Sequence, residues 1–571
     1  MCGFIIIKAK KIDLKLKKNF LSSLAFLKHR GPDQTKYKAF DNSLIGFNRL
    51  SINNIRNGEQ PLTSKCGRYI VVFNGEIINY KLLIKNLKKK KIKNQLNNEV
   101  EVILNYYLLY KEKCVDHFRG FFSIVIFDTK KSSIFAAVDK MNIKPLYYNY
   151  SPKNKILILT SDYSHLHKFR IIKLNINVNS LRDFLCLGRS FGGSTIYSNV
   201  CELQGGQILT YEPINGIKIK NYWKPFEKKI YKNISLNKNS LNFKKKFIKV
   251  NSLWKISETK ISSTLSSGVD SNLINLALKF NNIKIKKFNI IESKDIINEK
   301  NLIVEKINYK LILNELIKFT KKNKNPFVLA NGGAASLFQL YKKINKSKIK
   351  VSFTGEGADE IFGGYERYIK QNYLLQKNKF NFSKHLINLY KREINLFINS
   401  QKFEKRNSII KNLISNIDAV KLKSKENKNK ILEFDQLTWL PMLLRKHDAI
   451  GMNYSLEIRP PFLDDEIVDF ANKLSPEFKF SKKSSKLILK QVLLKYFKMN
   501  FFNKKKLGTK SLISTIFSDK TKLNYMRRSI LNSKFINKFF KISYLKKSDV
   551  FMVQNSIFLW RLFILSLMFK N

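Results

Sequence analysis

The chain has few cysteines, and none of them forms part of a CxxC pair. Its 571 residues contain only Cys2, Cys66, Cys114, Cys186 and Cys201. An odd number without paired spacing fits no disulfide framework of the kind found in small secreted domains. We therefore expect a reducing compartment, and the cytoplasm is the simplest assignment.

Long apolar runs are also lacking. The longest, SIFLWRLFILSLMF near the C-terminus, contains Arg561 and is shorter than the roughly 20 residues that span a bilayer. A buried terminal helix is the better prediction for that run. The first residues, MCGFIIIKAKK, place the apolar stretch before the charges, which reverses the order in a secretion signal. We expect neither a signal peptide nor a membrane partner.

Acidic residues are scarce, because 42 Asp and Glu stand against 107 Lys and Arg and leave a formal net charge of +65. Such an excess ordinarily suggests a polyanionic partner. Here the lysines are scattered among Asn and Ile throughout the chain, as in LKKKKIKNQLNN and KSKENKNK. We attribute most of the charge to a drift toward residues with AT-rich codons, and we expect no nucleic-acid partner.

The apolar content, 44% of residues, is enough to bury cores in two or three domains. The first two hundred residues alternate short β-type runs, such as RYIVVFNGEI, with helical patterns near 13–29, 80–90 and 99–112, which predicts an α+β domain. Asn- and Lys-rich sequence then predicts a linker. Beyond it, KISSTLSS before VDSNLINLALKF and KKFNII before NEKNLIVEKI indicate strand-then-helix units, hence a parallel sheet, with an all-helical part after about residue 380. The predicted division is 1–212, linker 213–240, and 241–571.

Cys2 follows the initiator methionine directly. Removal of Met1, which is usual in bacteria when the second residue is small, would leave a thiol and a free α-amine on one residue. An α-amine has a pKa near ~7.7 to 8, so it is able to take the thiol proton without any histidine. A cysteine near a terminus is usually inert, but this one is followed by HRGPDQ (29–34), FNRLSI (47–52), FNGEIINY (73–80) and KPLYY (144–148).

Together these strings resemble the class II glutamine amidotransferase domain, an N-terminal-nucleophile fold of two antiparallel sheets between helices. In that family a thiolate attacks the side-chain amide of glutamine and releases ammonia. The resemblance implies that Cys2 is the nucleophile and that Asn74 and Gly75 form the oxyanion hole. It also implies that glutamine is bound by Arg49, Asn74, Glu76 and Glu99, the last in place of the family's aspartate.

A second site is indicated by STLSSGVDSNL (263–273), an apolar strand that enters a Ser/Gly turn and then a helix. Hydroxyls, main-chain N–H groups and a helix N-terminus make an anion cradle there, although the pattern is not a Walker A motif. The turn resembles the SGGxDS loop of ATP pyrophosphatases, with Ser267 at a usual glycine position. FTGEGADEIFGGY (353–365) follows another strand, and the two motifs together strengthen the resemblance.

This second resemblance implies ATP as a substrate and Mg²⁺ as a cofactor. The residues implied to contact the nucleotide are Leu265, Ser266, Ser267, Gly268, Asp270, Ser271, Ile290, Thr354 and Gly355. Asp270 and Asp359 match the metal-binding acids of the family, and Mg²⁺ prefers hard carboxylate oxygens. Glu356 is implied to assist the chemistry near the acyl acceptor, and Lys486 in SSKLILKQ to face the phosphates as charge develops.

A glutaminase in front of an ATP pyrophosphatase resembles the glutamine-hydrolysing asparagine synthetase family. The implied reaction joins glutamine, ATP and a carboxylic acid, with aspartate favoured, through an acyl-AMP that ammonia attacks after travelling a dry passage. The resemblance allows a homodimer. DAIGMNYSLEIRPPFLD (448–464) retains Glu457, Arg459 and Asp464 of a family pattern, but Ala449 and Gly451 depart from it, and the identity of the acceptor stays open.

Three alternatives compete with this interpretation. The same chemistry on another carboxylate, such as a uronic acid of a surface polysaccharide, is the nearest. An enzyme similar to β-lactam synthetases would share both domains but dispense with the nucleophile, and Cys2 argues against it. A non-enzymatic nucleic-acid binder would explain the charge, but the sequence has no recognition motif for that role.

Overall fold

The computed structural model describes residues 2–40, 42–92, 98–169, 172–226, 235–291, 301–375, 381–424, 426–497, 512–542 and 548–570, with 371–375 and 406 in main chain only. Residues 227–234 of the predicted linker lie outside this set. In the described part, no helix combines the length and apolarity that crossing a bilayer requires.

The N-terminal part contains two antiparallel sheets, each of six strands in the described residues. The strands are β1 Gly3–Lys8, β2 Gln34–Phe40, β3 Ser43–Arg49, β4 Leu62–Thr63, β5 Tyr69–Ile77, β6 Gly120–Asp128, β7 Ser133–Val138, β8 Tyr147–Ser151, β9 Ile156–Thr160, β10 Cys201–Glu202, β11 Gln207–Glu212 and β12 Gly216–Asn221. The first sheet has the order β10-β8-β9-β1-β3-β2, and the second has the order β12-β11-β7-β6-β5-β4.

Four helices accompany these sheets: α1 Leu14–Phe26, α2 Tyr80–Lys89, α3 Glu99–Tyr110 and α4 Val178–Leu187. Side chains alternate across each strand, so Phe4 and Ile6 of β1 join the core between the two sheets. Ile5 of the same strand instead joins a core that includes α1. On the other side, α2 and α3 pack on the second sheet. The layers are therefore helix, sheet, sheet and helix, which confirms the predicted α+β sandwich.

The next part is built around a parallel sheet of order β15-β14-β13-β16-β17. Its elements are α5 Leu236–Trp254, β13 Ile261–Thr264, α6 Val269–Phe280, β14 Lys286–Ile291, β15 Leu302–Lys306, α7 Tyr309–Lys322, α8 Ala335–Lys346, β16 Val351–Phe353, α9 Ala358–Phe362 and, later in the chain, β17 Glu457–Arg459. A parallel sheet with helices confirms the second predicted architecture.

The rest of the chain is mainly helical, as predicted. Its helices are α10 Glu366–Leu375, α11 Phe382–Leu389, α12 Lys391–Ser400, α13 Arg406–Asp418, α14 Asn427–Thr438, α15 Leu440–Asn453, α16 Asp465–Lys473, α17 Leu487–Leu493, α18 Leu512–Ser518, α19 Lys520–Leu531, α20 Lys534–Phe539, α21 Asp549–Gln554 and α22 Ser556–Met568. The terminal helix α22 is buried along most of its length, which confirms the interpretation of the SIFLWRLFILSLMF run.

One element differs from its prediction. The run NEKNLIVEKI, expected as a helix, contains strand β15, whose residues pair in parallel with β14 from Leu302 opposite Lys287 to Lys306 opposite Ile291. The β-branched residues Ile303 and Val304 suit an extended strand, and the free edge of β14 offers main-chain partners that local periodicity does not reveal.

The N-terminal and C-terminal parts share one apolar core. Leu50, Ile52 and Ile143 from the N-terminal part pack in the same cluster as Leu444 and Phe462 from the C-terminal part. Because this cluster includes residues next to β3 and in α15, it lies between the two regions predicted to carry chemistry. The proposed boundaries at 212 and 241 stay predictions.

Candidate active sites

The residues predicted to handle glutamine meet in one narrow cavity. Cys2 precedes β1, Arg49 ends β3, Gly75 and Glu76 lie on β5, and Glu99 begins α3; all five line the cavity. Strands of both sheets and the first turn of a helix therefore supply its walls. The cavity holds about 40 Å³, which is room for about three water molecules.

Asn74 and Gly75 stand beside the main chain of Cys2. The Cys2 nitrogen donates to Asn74 Oδ1 over 2.8 Å, while Asn74 Nδ2 is buried and has no hydrogen-bond partner among the residues described. A buried donor of this kind needs an acceptor. At Gly75 φ is +145°, and a Cβ would lie 2.0 Å from the carbonyl oxygen of Phe121, so only glycine fits. The arrangement suits an oxyanion hole.

The Cys2 thiol needs help to ionise. Burial raises its pKa, and a hydrogen bond from the Leu50 main chain and the charge of Arg49 lower it by less. A nucleophilic thiol with a raised pKa needs an adjacent base. The α-amine that Cys2 would carry after loss of Met1 is placed to act as that base.

Arg49 lies in the cavity, but its guanidinium already has partners. Its Nη2 donates to the carbonyl oxygens of Asn53 and Asn54 over 2.9 and 2.7 Å, and its Nη1 donates to that of Ile55 over 3.1 Å. These bonds hold the loop after β3 against the cavity. The predicted contact of Arg49 with a glutamine carboxylate requires that it exchange some of them, and it stays a prediction.

Glu76 and Glu99 form a pair of buried acids. Burial raises the pKa of Glu76 to about 7, against the charge of Arg459. Burial, and then the charge of Glu76, raise the pKa of Glu99 well above its usual range. Glu99 Oε1 accepts from the Ile77 N–H over 2.9 Å, and Glu76 accepts from Asn53 Nδ2 over 2.5 Å. A cation such as the ammonium group of glutamine would favour the ionised pair.

The other acid and arginine of the family pattern bridge the two parts of the chain. Arg459 Nη2 lies 3.4 Å from Glu76 Oε1, and Arg459 Nε donates to Glu457 Oε1 over 2.6 Å. Asp464 accepts from Arg119 Nη2 over 2.6 Å and caps α16. All are buried and paired within the protein, which favours a framework role for Glu457, Arg459 and Asp464.

The SSGVDS turn lies at the carboxyl end of β13, in the middle of the parallel sheet. The Ser266 N–H donates to Ser271 Oγ over 3.0 Å, and the Gly268 N–H donates to Ser266 Oγ over 3.1 Å. These bonds shape the turn into the first residues of α6. In open parallel sheets, ligands bind at the carboxyl ends of the strands, close to helix N-termini.

A cavity of about 270 Å³ opens beside this turn. Of the predicted ATP-binding residues it is lined by Leu265, Ser266, Gly268, Asp270, Ser271, Thr354 and Gly355. Glu356 and Asp359 line it as well, whereas Ser267 and Ile290 do not. Thr354 Oγ1 is buried and, within the described part of the chain, has no hydrogen-bond partner. The two motifs thus converge on one cavity with a polar atom that a ligand is able to satisfy.

Lys486 binds both predicted metal ligands. Its Nζ lies 2.6 Å from Asp270 Oδ2 and also contacts Asp359. Burial lowers the pKa of Lys486, but the charges of Asp270 and then Asp359 outweigh burial and raise it. A Cβ at Gly364 would lie 1.8 Å from Asp359 Oδ1 and 2.1 Å from Lys486 Cε, so a larger residue there would displace this ion pair.

The two carboxylates fit a magnesium ion. They converge closely enough to share the ammonium of Lys486, so the space between them already favours positive charge. Mg²⁺ is commonly held by one or two carboxylates together with phosphate oxygens and water. No group of three or more His, Cys, Asp or Glu suited to a metal occurs in the described ranges, so the remaining ligands would come from phosphates and water.

Tyr341 and His447 also line the nucleotide cavity, although sequence reasoning did not single them out. His447 Nε2 lies 2.8 Å from Glu356 Oε1, and its Nδ1 contacts the Tyr341 hydroxyl. Tyr341 and His447 are 106 positions apart, so no local pattern joins them. The sequence signal available for His447 was its position directly before the 448–464 segment.

A small cavity of about 10 Å³ has walls from both parts of the chain. It is lined by Ile143 and Lys144 from the N-terminal part and by Leu444, His447, Asp448, Ile458, Pro460 and Glu356 from the C-terminal part. Next to it, Asp448 Oδ2 lies 2.9 Å from Arg30 Nη2, and Arg30 Nε donates to the Cys2 carbonyl oxygen over 3.3 Å. Neighbouring residues of α15 therefore reach the surroundings of both candidate sites.

Comparison with protein families assigns both parts of the chain. A model described as "Glutamine amidotransferase domain" matches residues 1–223, and one described as "Asparagine synthase" matches residues 297–552. The N-terminal match covers the Cys2 cavity, and the C-terminal match begins after the SSGVDS turn and includes the GEGADE motif.

Individual relatives agree with the family models. Asparagine synthetase [glutamine-hydrolyzing] 1 of Bacillus subtilis is 28% identical over 539 residues, covering 84% of this chain and 82% of its own length. Asparagine synthetase [glutamine-hydrolyzing] 3 of the same organism is 25% identical over 508 residues, covering 82% and 80%. Among solved structures, the glutamine phosphoribosylpyrophosphate amidotransferase of B. subtilis with ADP and GMP is 14% identical, covers 50% of this chain and 65% of its own, and has a TM-score of 0.28.

Proposed function

We propose that this chain, which belongs to the glutamine-hydrolysing asparagine synthetase family, makes L-asparagine from L-aspartate in the cytoplasm, with ATP and with ammonia from glutamine. Its relatives support a glutamine-hydrolysing amidotransferase ligase. The observation that carries the proposal is the small cavity between Lys144 and Glu356, because residues of both parts of the chain line it and it shares Glu356 and His447 with the proposed nucleotide pocket.

In the glutaminase step, the amine of processed Cys2 takes the thiol proton, and the thiolate attacks the side-chain carbonyl of glutamine. The negative charge on the carbonyl oxygen is stabilised by the Gly75 N–H and by Asn74 Nδ2, whose lack of a partner among the described residues supports this role. The nitrogen takes this proton back from the Cys2 amine and leaves as ammonia, and water then hydrolyses the thioester to glutamate. Glu76 and Glu99 hold the substrate ammonium.

In the synthetase step, a carboxylate of the acceptor attacks the α-phosphorus of ATP and pyrophosphate leaves. Asp270 and Asp359 would hold Mg²⁺, which neutralises phosphate charge when bound. Lys486 exchanges its carboxylate partners for phosphate oxygens, and so stabilises the charge that develops on the leaving group. Ammonia then replaces AMP at the acyl carbon.

The acceptor is proposed to be aspartate, with a uronic acid as the competing candidate. The Gly451 departure does not favour the competitor, because a Cβ there would lie 2.7 Å from the Leu456 carbonyl oxygen, which gives the glycine a packing cause. Ala449 packs against the main apolar core. Neither residue lines the nucleotide cavity, so neither argues for a sugar acid.

The proposal is tested by pyrophosphate release from ATP across a panel of carboxylic acids, aspartate first, with glutamine or ammonium chloride as nitrogen source. We expect aspartate to support release and to become asparagine, whereas release with a uronic acid alone would select the competitor. Cys2→Ala is expected to abolish the glutamine-dependent product and to leave the ammonia-dependent rate within about twofold, since only the nucleophile is lost. Equal loss of both routes would contradict the two-site mechanism.

A further inference from the structure

We propose that His447, oriented by Tyr341, is a positioning residue that holds the Glu356 carboxylate where it accepts the proton lost by ammonia during attack on the acyl carbon. The inference rests on the proposed function, because it assigns a task within the second half of that reaction. It concerns two residues that neither the family resemblance nor the sequence motifs brought forward.

Three elements bring the chain of contacts together. Glu356 lies in the turn after β16, His447 lies on α15, and Tyr341 lies on α8. Tyr341 is fully buried and His447 is 4% exposed, so packing fixes both rings. The Glu356 side chain is 28% exposed. The imidazole therefore joins a fixed hydroxyl to an acid at the cavity surface.

Burial also decides which atoms carry protons along the contacts from Tyr341 through His447 to Glu356. It raises the pKa of Tyr341 far above its usual range, so the hydroxyl keeps its proton and is able to donate it. Burial lowers the pKa of His447, against the charge of Glu356, so the imidazole is neutral near pH 7. If Tyr341 donates to Nδ1, the single imidazole proton stands on Nε2, 2.8 Å from Glu356. That tautomer places an N–H group beside a carboxylate oxygen of Glu356.

The other acids of the GEGADE motif already serve different partners. Asp359 contacts Lys486. Glu360 contacts the Tyr365 hydroxyl, and burial, together with the charge of Asp359, raises its pKa to about 8. Glu356 alone of the three lines both the nucleotide cavity and the small cavity toward Lys144. Of these three acids, Glu356 is therefore the one that faces the N-terminal part across the small cavity.

The step balances with the groups named. The nitrogen lone pair adds to the acyl carbon of the acyl-AMP, and the bond between that carbon and the phosphate oxygen of AMP breaks. The resulting –NH₃⁺ group gives one proton to Glu356, which leaves a neutral amide and AMP. Glu356 later passes this proton to water, so the sum is acyl-AMP plus ammonia giving amide, AMP and one proton. A positioned proton acceptor of this kind contributes about 10²- to 10⁴-fold to a rate.

The test compares His447→Gln, His447→Leu and Tyr341→Phe in the full-length protein, with ammonium chloride as nitrogen source. Glutamine retains one N–H donor for Glu356 and does not titrate, whereas leucine removes the donor but keeps the bulk. His385→Gln is the matched control, because His385 lies on α11 and lines none of the cavities described above. Glutaminase activity of each preparation reports whether the fold is intact.

The readout is the ratio of pyrophosphate released to amide formed. We expect a ratio near one for the wild-type protein, His385→Gln and, within about threefold, His447→Gln. For His447→Leu we expect amide formation to fall about 10- to 100-fold while pyrophosphate release persists, because the acyl-AMP is then lost to water. For Tyr341→Phe we expect a ratio of pyrophosphate to amide between those of His447→Gln and His447→Leu. A ratio that stays near one in His447→Leu, or an equal loss of both products, would overturn the positioning role.

The result separates this inference from the proposed function. If the wild-type protein releases no pyrophosphate with any acid of the panel, the proposed function fails and the role of His447 fails with it. If the wild-type protein makes the amide and only the variants behave otherwise than expected, the proposed function stands and the positioning role alone is wrong.

Discussion

In the cavity lined by Cys2, Glu76 and Glu99, the behaviour of single residues depends on the free-energy cost of burying their charges. Glu76 and Glu99 lie together with Arg459 as the nearest cation, 3.4 Å from Glu76. Since Arg459 also bonds Glu457 at 2.6 Å, it is shared between two acids. The Glu76 and Glu99 pair therefore keeps an unmet preference for positive charge, which a substrate ammonium would meet.

This pair predicts a pH dependence of glutamine binding. Burial raises the pKa of Glu76 to about 7, so as the pH falls from 8 to 6 the carboxyl takes up a proton and attracts the substrate ammonium less. The KM for glutamine should therefore rise as the pH falls, measured as glutamate release at each pH.

Glu99→Gln serves as the matched variant for that measurement. The carboxylate charge that raises the pKa of Glu76 is that of Glu457, not that of Glu99, so in this variant the rise in KM should stay at the same pH. A KM that stays constant between pH 6 and pH 8 in the wild-type protein would contradict the role of the pair.

The sequence motifs indicated residues that line the two cavities, but they did not indicate which other residues these contact. Cys2, Gly75, Glu76, Asp270 and Asp359 all line the cavities expected of them, because a motif keeps chemistry-bearing residues on one strand end or turn. The contacts of Arg49 with the loop that follows β3, and the position of Lys486 between two acids, depend on tertiary packing. So does the pairing of Tyr341 with His447, and no local pattern encodes these.

At the scale of elements, α15 connects the two sites. Arg445 Nε lies 3.1 Å from Glu202 Oε1 of the N-terminal part. His447 reaches Glu356, and Asp448 reaches Arg30 beside Cys2. The sequence indicated a helix-to-turn framework here, but not that successive residues face different sites. The helix α22 was easier to predict, since an apolar run broken by a single charge, Arg561, needs a buried position whatever its partners are.

The burial of α22 predicts a specific stability cost. Arg561 Nη1 donates to the Leu185 carbonyl oxygen over 2.8 Å, and its Nε donates to that of Ala330 over 3.2 Å. Arg561→Met keeps most of the volume but leaves two buried acceptors without a donor, so the free energy of unfolding should fall by about 1 to 3 kcal/mol. The measurement is the urea midpoint followed by far-ultraviolet circular dichroism.

Ile557→Ala provides the comparison for that variant. Ile557 is 44% exposed on the same helix, and a change at such a position should stay within about 0.5 kcal/mol. If Arg561→Met unfolds at the same urea concentration as Ile557→Ala, the guanidinium is not what anchors α22.

At the scale of the whole molecule, ion pairs and a shared apolar cluster join the N-terminal and C-terminal parts. Arg119 pairs with Asp464, and Lys140 lies 2.6 Å from Asp465. The apolar cluster that contains Leu50, Ile143 and Leu444 also has residues from both parts. Under the proposed function, ammonia would cross these surroundings in its neutral form, because burial of a charged ammonium without a partner is costly.

Arg119 gives the clearest test of this arrangement. Its Nη2 and Nε donate to Asp464 over 2.6 and 3.1 Å, and Trp254 Nε1 donates to the same carboxylate over 2.7 Å. Arg119→Ala leaves Asp464 buried without its cation, which is strongly destabilising for a pair of this kind, and the two parts should separate locally. Some ammonia then escapes, so the ratio of glutamate to amide should rise above one, while the rate with added ammonium chloride stays within about twofold.

Lys220→Ala, which removes only an exposed pair with Glu112, should keep the ratio at one. A ratio of one in Arg119→Ala would mean that this contact does not seal the path between the sites.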